Sequence, residues 1–568
     1  MKSIDEILEG LDPDQRRAAQ AIRGPVCIIA GAGTGKTRTI THRIAYAIAA
    51  GVTDPTKVLA LTFTAKAAGE MRARLRSLGY PGIAARTFHS AALKQLMYFW
   101  PYALGGTFPS LLPSKSGAVA QAVLSADSRL TPSPSRLRDI AAEIEWAKVS
   151  EIAPDQYVER ALLADRLRDS GGKRLDLEDI AKIYDAYETL KRTERVIDFE
   201  DVLLLTVGML EEDRQVRERI RDQYRYFTVD EYQDVSPLQQ RLLNLWLGNR
   251  EEICVVGDPS QTIYSFAGAT STFLTGFTKR FPRAEVIHLN RGYRSTPEII
   301  RAANTLMDSL IPAGSEQSLS SVQAAGQKPT VHSFPTTAAE IHATVRKVGE
   351  LLDSGTSERD IAVLARTNAQ LDQLERAFTD AGITTQLKSS ERFFDRIDVR
   401  DVMRVIRSAS VLPTEDWRAT LDSILLPFLP TQHDQSNPES KSGRNTQQDQ
   451  RPDFIQAILN FADEQKASGI DSMRGFLREL EDRAEQNNPL PLPGILLATL
   501  HAAKGLEWPT VLLVGVSEGI LPMGGDIDEE RRLFYVGLTR AKDQIFLSYA
   551  GAPSPFLEEI KHAISQGT

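Results

Sequence analysis

The chain has 568 residues, 42% of them apolar and 25% charged, a composition typical of soluble globular proteins with about four domains' worth of length. Its 67 Lys and Arg residues against 75 Asp and Glu residues give a net charge of −8. This balance argues against a protein that binds nucleic acid by bulk positive charge, although a local basic groove stays compatible with it.

The two cysteines and the absence of long apolar runs indicate the compartment. Cys27 and Cys254 lie in the short aliphatic runs VCII and ICVV, so we expect two buried thiols and not a zinc site. Low cysteine content fits a reducing cytosol. No apolar run approaches the roughly 18 residues needed to span a membrane. The sequence therefore predicts a cytoplasmic protein without a membrane segment.

Short aliphatic runs alternate with longer amphipathic stretches along the chain. This alternation predicts an α/β fold of parallel strands covered by helices. Two helix-rich stretches, at about 90–197 and 400–490, interrupt the pattern, and residues 431–452 are predicted as a flexible surface loop because they contain no aliphatic or aromatic side chain. The predicted strands lie at 25–30, 57–63, 226–231, 252–258, 360–367 and 510–516.

The first chemical motif is AGAGTGKT at 30–37, between an aliphatic run and a helical pattern. Gly31, Gly33 and Gly35 would let backbone N–H groups converge on phosphate oxygens. Lys36 supplies a positive charge for the β- and γ-phosphates, and Thr37 a hydroxyl ligand for Mg²⁺. Ala30 stands where the usual pattern has glycine. A nucleotide kinase, a GTPase and an ATP-driven motor all fit this loop.

The second motif is YFTVDEYQDVS at 226–236, where an apolar run leads directly into two carboxylates. A carboxylate at the end of a parallel strand can lie beside a phosphate loop. Asp230 is predicted to hold Mg²⁺, and Glu231 to orient and deprotonate an attacking water. Adjacent carboxylates of this kind favour a hydrolysing motor over a GTPase.

These motifs resemble those of the UvrD/PcrA/Rep helicases of superfamily 1. Further matches follow in the family's order, and together they cover residues from about 11 to about 550. They are LDPDQRRA, LTFTAKAAGEM, TFHS, VVGDPSQTIYSFAGA, LNRGYRSTPEI, TLHAAKGLEW and EERRLFYVGLTRAK.

The resemblance implies two RecA-like P-loop motor domains with two mainly helical insertion subdomains. By this analogy motor domain 1A covers residues 1–88 and 198–277, and insertion 1B covers 89–197. Motor domain 2A covers 278–404 and 493–568, and a reduced 2B-like insertion covers 405–492. The reduced insertion contains the predicted loop at 431–452.

The resemblance also assigns residues to an ATP site between the two motor domains. Arg294 and Arg540 are the implied arginine fingers, and Gln261 the implied γ-phosphate sensor. Arg38 and Tyr293 are expected to sandwich the adenine. The remaining implied ATP contacts are Gln15 at the adenine edge, Glu507 near the ribose, and Ala30, Gly31, Ala32, Gly33, Thr34, Gly35, Lys36 and Thr37 around the phosphates.

DNA contacts are implied across both motor domains. Phe63, Tyr264 and Phe266 would stack on bases, which is worth about 1–3 kcal/mol per base. No base-reading pattern is visible, so we expect sequence-tolerant binding. The implied backbone contacts are Thr64, Lys66, Thr87, His89, Asn368 and His501.

The implied activity is that of a DNA-dependent ATPase and 3′–5′ helicase in DNA repair or replication. It would use ATP and Mg²⁺, act on single-stranded and 3′-tailed duplex DNA, be nucleoid-associated, and work as a monomer or weak dimer with repair or replication proteins. An alternative is a translocase that displaces proteins or recruits repair factors and unwinds weakly alone. The short 2B-like insertion and Ala267, where the family usually has arginine, motivate that alternative.

Overall fold

Buried aliphatic strands and amphipathic helices alternate along the chain, as the sequence pattern predicts. The computed structural model describes residues 3–112, 114–126, 130, 132–166, 169–170, 173–174, 176–310, 318–387, 397–410, 416–426, 451–467, 470–485, 490 and 494–566. The chain divides into two compact units. Unit 1 comprises Met1–Tyr293 and Ile311–Ser320, and unit 2 comprises Arg294–Leu310 and Ser321–Thr568.

Unit 1 is built on a six-stranded parallel sheet in the order β10-β1-β9-β8-β2-β3. Successive residues of each strand face opposite sides of the sheet, so Cys27 packs in one hydrophobic core and Cys254 in the other. Both are buried free thiols, as predicted. The strands are β1 Val26–Ala30, β2 Val58–Thr62, β3 Ala84–Thr87, β8 Tyr226–Val229, β9 Ile253–Gly257 and β10 Glu285–Leu289.

The helices of unit 1 cover both faces of this sheet and form the first helical insertion. They are α1 Ile4–Leu8, α2 Pro13–Gln20, α3 Lys36–Ala49, α4 Ala65–Ser77, α5 Phe88–Ala103, α6 Lys115–Ser125, α7 Pro134–Val149, α8 Tyr157–Leu163, α9 Leu177–Glu194, α10 Phe199–Glu212, α11 Arg214–Gln223, α12 Pro237–Leu247, α13 Thr272–Thr275 and α14 Phe277–Arg280. Two-residue strands lie at β4 Ser110–Leu111, β5 Asp169–Ser170, β6 Lys173–Arg174 and β7 Val196–Ile197. Two more, β11 Arg291–Gly292 and β12 Ser320–Ser321, lie where the chain passes between the units.

Unit 2 is built on a seven-stranded parallel sheet in the order β15-β16-β14-β17-β18-β13-β19. Its strands are β13 Thr330–Phe334, β14 Ile361–Ala365, β15 Thr385–Leu387, β16 Ile495–Thr499, β17 Trp508–Leu513, β18 Ala541–Ala550 and β19 Ser565–Gln566. Its helices are α15 Pro297–Met307, α16 Thr337–Asp353, α17 Asn368–Asp380, α18 Ile397–Ala409, α19 Trp417–Leu425, α20 Arg451–Ala467, α21 Met473–Glu485, α22 Ile527–Leu538 and α23 Pro555–Glu559.

The six strands predicted from aliphatic runs are confirmed as β1, β2, β8, β9, β14 and β17. Three of the expected boundaries need correction. Strand β10 pairs with β1 in the first sheet, so the second motor domain cannot begin at residue 278. Helix α5 packs in the core of the first sheet through Phe88 and Leu96, although residues from 89 onward were expected in the insertion.

The third correction concerns the second insertion. Helix α18 crosses the expected boundary at 404/405, because Val399 and Ile406 share one core with α19, α20 and α21. Of the predicted loop at 431–452, residues 431–450 lie outside the described residues, whereas Arg451 and Pro452 begin α20. Proline is favoured in the first turn of a helix, since its missing N–H has no partner to lose there. The remaining domain boundaries stay predictions. None of the helices in the described part of the chain is both long and apolar enough to cross a membrane.

Candidate active site

The glycine-rich loop of unit 1 joins β1 to α3. Gly35 caps α3 with φ 82°, a left-handed conformation that favours glycine. The Thr34 hydroxyl donates to the carbonyl of Gly31 at 2.9 Å and closes the loop. Helix α3 begins at Lys36, so its unpaired backbone N–H groups lie at the loop and favour an anion there. The other predicted loop residues, Ala30, Ala32, Gly33 and Thr37, lie at the end of β1, within the loop and in the first turn of α3.

The two predicted carboxylates follow β8 and meet the loop lysine. The Glu231 Oε1 lies 3.7 Å from the Nζ of Lys36. Burial and the neighbouring Glu231 raise the pKa of Asp230 to about 7, although Lys36 acts in the opposite direction. Asp230 is 4% exposed. Buried Asp230 and half-buried Glu231 place two carboxylates beside one lysine, an excess of negative charge that a divalent cation would neutralise.

Gln233 joins these carboxylates to the next strand, a role that the sequence analysis did not assign. Its Nε2 donates to the Oε2 of Glu231 at 2.5 Å, and its Oε1 accepts from the backbone N–H of Asp258 at 3.0 Å. The Asp258 Oδ2 in turn accepts from Gln261 Nε2 at 2.7 Å. A Cβ on Gly257 would lie 2.5 Å from the Gln233 Oε1, so this close approach requires glycine. Gln233 and Asp258 both lie in quoted motifs, DEYQD and VVGDPSQTIYSFAGA, but nothing in the sequence indicated that they bond to each other.

The predicted adenine contacts cluster near the start of α2. Gln15 is buried and donates from Nε2 to the carbonyl of Thr34 at 2.9 Å, so it touches the phosphate loop itself. The Tyr293 hydroxyl donates to Asp12, whose carboxylate also caps α2. Burial and Asp12 raise the pKa of Tyr293 to about 12. Arg38 is exposed and donates to a backbone carbonyl nearby. Asp12 was missed by the sequence analysis.

Three predicted stacking residues lie together in unit 1. The rings of Phe63 and Tyr264 stack with centroids 5.4 Å apart, and Phe266 lies 6.1 Å from Tyr264. Phe63 is 42% exposed and Phe266 37% exposed. Exposed aromatic rings in contact form the kind of surface on which bases stack. We call Phe63, Tyr264 and Phe266 the aromatic platform.

The other predicted DNA contacts of unit 1 lie at helix starts. The hydroxyls of Thr64 and Thr87 cap α4 and α5 by accepting from backbone N–H groups at 3.2 and 3.1 Å. Lys66 is exposed in the first turn of α4. His89 is half-buried in the first turn of α5, and burial lowers its pKa. Helix N-termini favour phosphate oxygens, so these positions are suited to contact the phosphates of the DNA backbone.

The predicted arginines lie in unit 2. The Arg294 Nε donates to the Oε2 of Glu507 at 2.6 Å, and its Nη1 to the carbonyl of Thr539 at 3.1 Å. Although burial acts in the opposite direction, Arg294 and Lys542 hold the pKa of Glu507 below its usual range. Arg540 is 1% exposed and donates to backbone carbonyls of its own unit. The structure therefore places Arg294, Glu507 and Arg540 next to one another within unit 2.

The predicted DNA contacts of unit 2 lie beside additional cations. Asn368 begins α17, and His501 follows β16. Burial, Arg366 and Lys504 lower the pKa of His501 to about 4, so the imidazole is neutral at pH 7. Arg366 pairs with both carboxylate oxygens of Glu530. Arg366 and Lys504 are cations that the sequence analysis did not select.

Comparison with known proteins identifies two family matches. The UvrD/REP helicase N-terminal domain matches residues 11–282, and the UvrD-like helicase C-terminal domain matches residues 287–411 and 427–552. Together they cover most of the chain, and they agree with the resemblance seen in the motifs.

Curated relatives match over nearly the full chain. The ATP-dependent DNA helicase UvrD2 of Mycobacterium tuberculosis is 42% identical over 97% of this chain and 80% of the relative. The ATP-dependent DNA helicase PcrA of Bacillus subtilis is 27% identical over 96% of this chain and 83% of the relative. PcrA of Staphylococcus aureus is 27% identical over 99% of this chain and 87% of the relative. The chain therefore belongs to the UvrD-like helicase family.

Proposed function

We propose that this chain is an ATP-dependent DNA helicase that moves 3′ to 5′ along single-stranded DNA. The observation that carries the proposal is one path within unit 1 made of an ion pair, between Lys36 and Glu231, followed by hydrogen bonds. It runs from the phosphate loop through Glu231 and Gln233 to Asp258 and Gln261. Tyr264 of the aromatic platform follows Gln261 by three residues. A site for phosphates and a surface for bases thus share one short chain segment.

In this proposal Lys36 neutralises the β- and γ-phosphates of ATP, and Glu231 accepts the proton of the attacking water. Gln261 contacts the γ-phosphate. Arg294 and Arg540 stabilise the charge that develops on the transferred phosphoryl group, an effect worth about 10³–10⁵ in rate in well-studied enzymes. Gln15, Arg38 and Tyr293 hold the adenine, and Glu507 the ribose.

Magnesium is part of the proposal because of the residues beside the phosphate loop. Asp230 is buried with a raised pKa, and the Thr37 hydroxyl lies in the first turn of α3. These are hard oxygen ligands of the type that Mg²⁺ takes together with phosphate oxygens. The ion supplies charge neutralisation at the phosphates when bound. Asp230 and Thr37 are the residues that would hold it.

The DNA contacts are proposed from exposed rings and cations. The platform of unit 1 would stack bases, with Thr64, Lys66, Thr87 and His89 contacting phosphates. In unit 2 we propose Asn368 and His501, with Lys504 supplying positive charge. The net charge of −8 means that affinity must come from these local groups.

The relatives support the class of activity, since those from Mycobacterium tuberculosis and Bacillus subtilis are named ATP-dependent DNA helicases. The 3′–5′ direction rests on the resemblance of the motifs. We propose single-stranded and 3′-tailed duplex DNA as substrates, and action at the nucleoid in the cytoplasm. Repair or replication proteins are the proposed protein partners.

Two assays test the proposal. Steady-state ATP hydrolysis is measured with and without an oligothymidylate, and a rise in turnover with DNA is expected. Strand separation is then measured on duplexes that carry a single-stranded tail at the 3′ or at the 5′ end. We expect the protein to unwind the 3′-tailed duplex and not the 5′-tailed duplex. Equal ATPase rates with and without DNA would refute the motor, and unwinding of only the 5′-tailed duplex would refute the direction.

A translocase that unwinds weakly is the second candidate. It is favoured by Ala267, which follows Phe266 of the aromatic platform and stands where the family usually has arginine. It predicts DNA-stimulated ATPase and displacement of streptavidin from a biotinylated 5′ end, with little strand separation. Robust unwinding by the protein alone would exclude it.

A further inference from the structure

Arg166 is a buried arginine of the helical insertion with a fixed orientation. Its Nε and Nη2 donate to the two carboxylate oxygens of Glu143 at 2.9 and 2.8 Å. Its guanidinium carbon lies 4.3 Å from the ring centroid of Trp146, and Tyr157 donates to the same carboxylate at 2.8 Å. A planar guanidinium held by a bidentate carboxylate and a ring face has little freedom to turn.

The same guanidinium reaches out of the insertion to the aromatic platform. Its Nη2 donates to the backbone carbonyl of Phe266 at 3.0 Å, a contact between residues 100 positions apart. A second contact lies two residues later. Gly268 has φ 86°, and a Cβ there would lie 2.6 Å from Val149 at the end of α7. The insertion therefore contacts the short turn Ser265–Ala267 at Phe266 and packs closely against Gly268, which follows the turn.

We propose that Arg166 is a positioning residue that fixes Phe266 for base stacking and so couples the helical insertion to DNA binding. The inference rests on the proposed DNA-dependent motor. Backbone hydrogen bonds from Ala267 to Tyr264 and from Gly268 to Ser265 close the turn, and Arg166 adds a donor from the insertion. Arg166 is 8% exposed and acts through the carbonyl of Phe266, with no DNA contact of its own assigned to it.

The physical consequence concerns the order of the platform before DNA binds. Without the guanidinium the Phe266 carbonyl loses the donor that the insertion supplies. The turn is then held less firmly, and more of the ordering of the Phe266 ring takes place when DNA binds. Ordering a side chain at an interface has an entropic cost that corresponds to about a three- to tenfold loss of affinity. The affinity for DNA should therefore fall, whereas the rate of ATP hydrolysis at saturating DNA should fall less.

The test compares Arg166→Met and Arg166→Lys with wild type in the full chain. The oligothymidylate concentration that gives half-maximal ATPase stimulation is expected to rise about three- to tenfold in both variants. The maximal rate at saturating DNA should fall by a smaller factor. Lysine shares the defect because an ammonium cannot bind Glu143 bidentately and also reach the carbonyl. Arg418→Met is the matched control, since Arg418 is bound by Asp463 and Asp422 in the other insertion.

A second comparison separates positioning from a loss of folding. Arg166→Met is also combined with Glu143→Leu in one double variant. Because both members of the buried ion pair are then replaced, no unpaired charge is left that could unfold the insertion. On a Phe266→Ala background, Arg166→Met should weaken DNA stimulation no further, because the ring that it positions is gone.

Wild-type DNA dependence in Arg166→Met would overturn the inference. An undiminished loss on the Phe266→Ala background would overturn it as well, because the effect would then not pass through Phe266. If the wild type itself shows no stimulation by DNA, the proposed function fails, and the inference that rests on it fails with it.

Discussion

The side-chain amide of Gln233 donates to the carboxylate of Glu231 at 2.5 Å and accepts from the backbone of Asp258 at 3.0 Å. One buried amide thus holds the carboxylate proposed to activate water and also the segment that leads to the aromatic platform. Glu231 itself adopts a left-handed backbone conformation with φ 51°. Such a conformation costs free energy in a non-glycine residue, which fits a position whose geometry is set by function.

Removing the Gln233 amide should slow hydrolysis more than it weakens ATP binding. In Gln233→Ala, Glu231 loses the donor that fixes its orientation, and we expect kcat to fall at least about tenfold with a smaller change in KM for ATP. Steady-state kinetics at saturating DNA measure both. Gln239→Ala is the control, because Gln239 caps the nearby α12 without touching the carboxylates. Equal losses of kcat in the two variants would contradict the positioning of Glu231.

Lys36 and Glu231 should have separable roles. Lys36→Ala removes the charge that meets the phosphates, so ATP binding and turnover should both be lost. Glu231→Gln keeps the size of the side chain but cannot accept a proton, so ATP should still bind while turnover falls about 10²-fold or more. Binding of a fluorescent ATP analogue and steady-state hydrolysis distinguish the two. Hydrolysis at the wild-type rate in either variant would refute the site.

Asp230 should make the nucleotide-free protein less stable as the pH rises. Its pKa in the folded chain, about 7, lies above its unfolded value, so its favourable contribution is complete below about pH 4 and is lost as the pH rises through about 7. Asp230→Asn removes this loss. Above pH 7 the variant should therefore exceed wild type in unfolding free energy by at least about 1 kcal/mol, the equivalent of one pKa unit.

Thermal unfolding between pH 5 and pH 8, without nucleotide or Mg²⁺, measures this difference. The exposed Asp155 provides the control variant Asp155→Asn. The prediction fails if Asp230→Asn follows the wild-type pH curve in parallel, or if Asp155→Asn gains as much stability.

Stacking and phosphate contacts should respond differently to salt. Phe63→Ala removes a platform ring and should weaken oligothymidylate binding by about 1–3 kcal/mol without changing the salt dependence. Lys66→Ala should instead reduce the log–log salt slope by about 0.7, the value of one phosphate contact on a single strand. Fluorescence anisotropy at several salt concentrations measures both. The exposed Tyr98 supplies the control Tyr98→Ala, and a loss there as large as in Phe63→Ala would argue against the platform.

Much of the candidate site could be predicted from local sequence. A strand, a glycine-rich loop and a helix follow one another within 26–49, so the phosphate loop and Lys36 could be assigned from neighbouring residues alone. The carboxylates after β8 were equally clear. The boundary at residue 278 was wrong because strand β10 lies next to β1, and nothing in the residues near 285 indicates which sheet they join.

The α/β class, six of the strands, the two buried thiols and the motif residues that place the chain in its family could all be inferred from the amino-acid sequence. Those features depend on patterns over a few neighbouring residues, where backbone conformation and burial follow from local composition. The order of the strands, the bond between Gln233 and Asp258 and the bond from Arg166 to Phe266 became known from the folded structure. Contacts of that kind depend on how segments far apart in the chain pack together, and no local pattern contains that information.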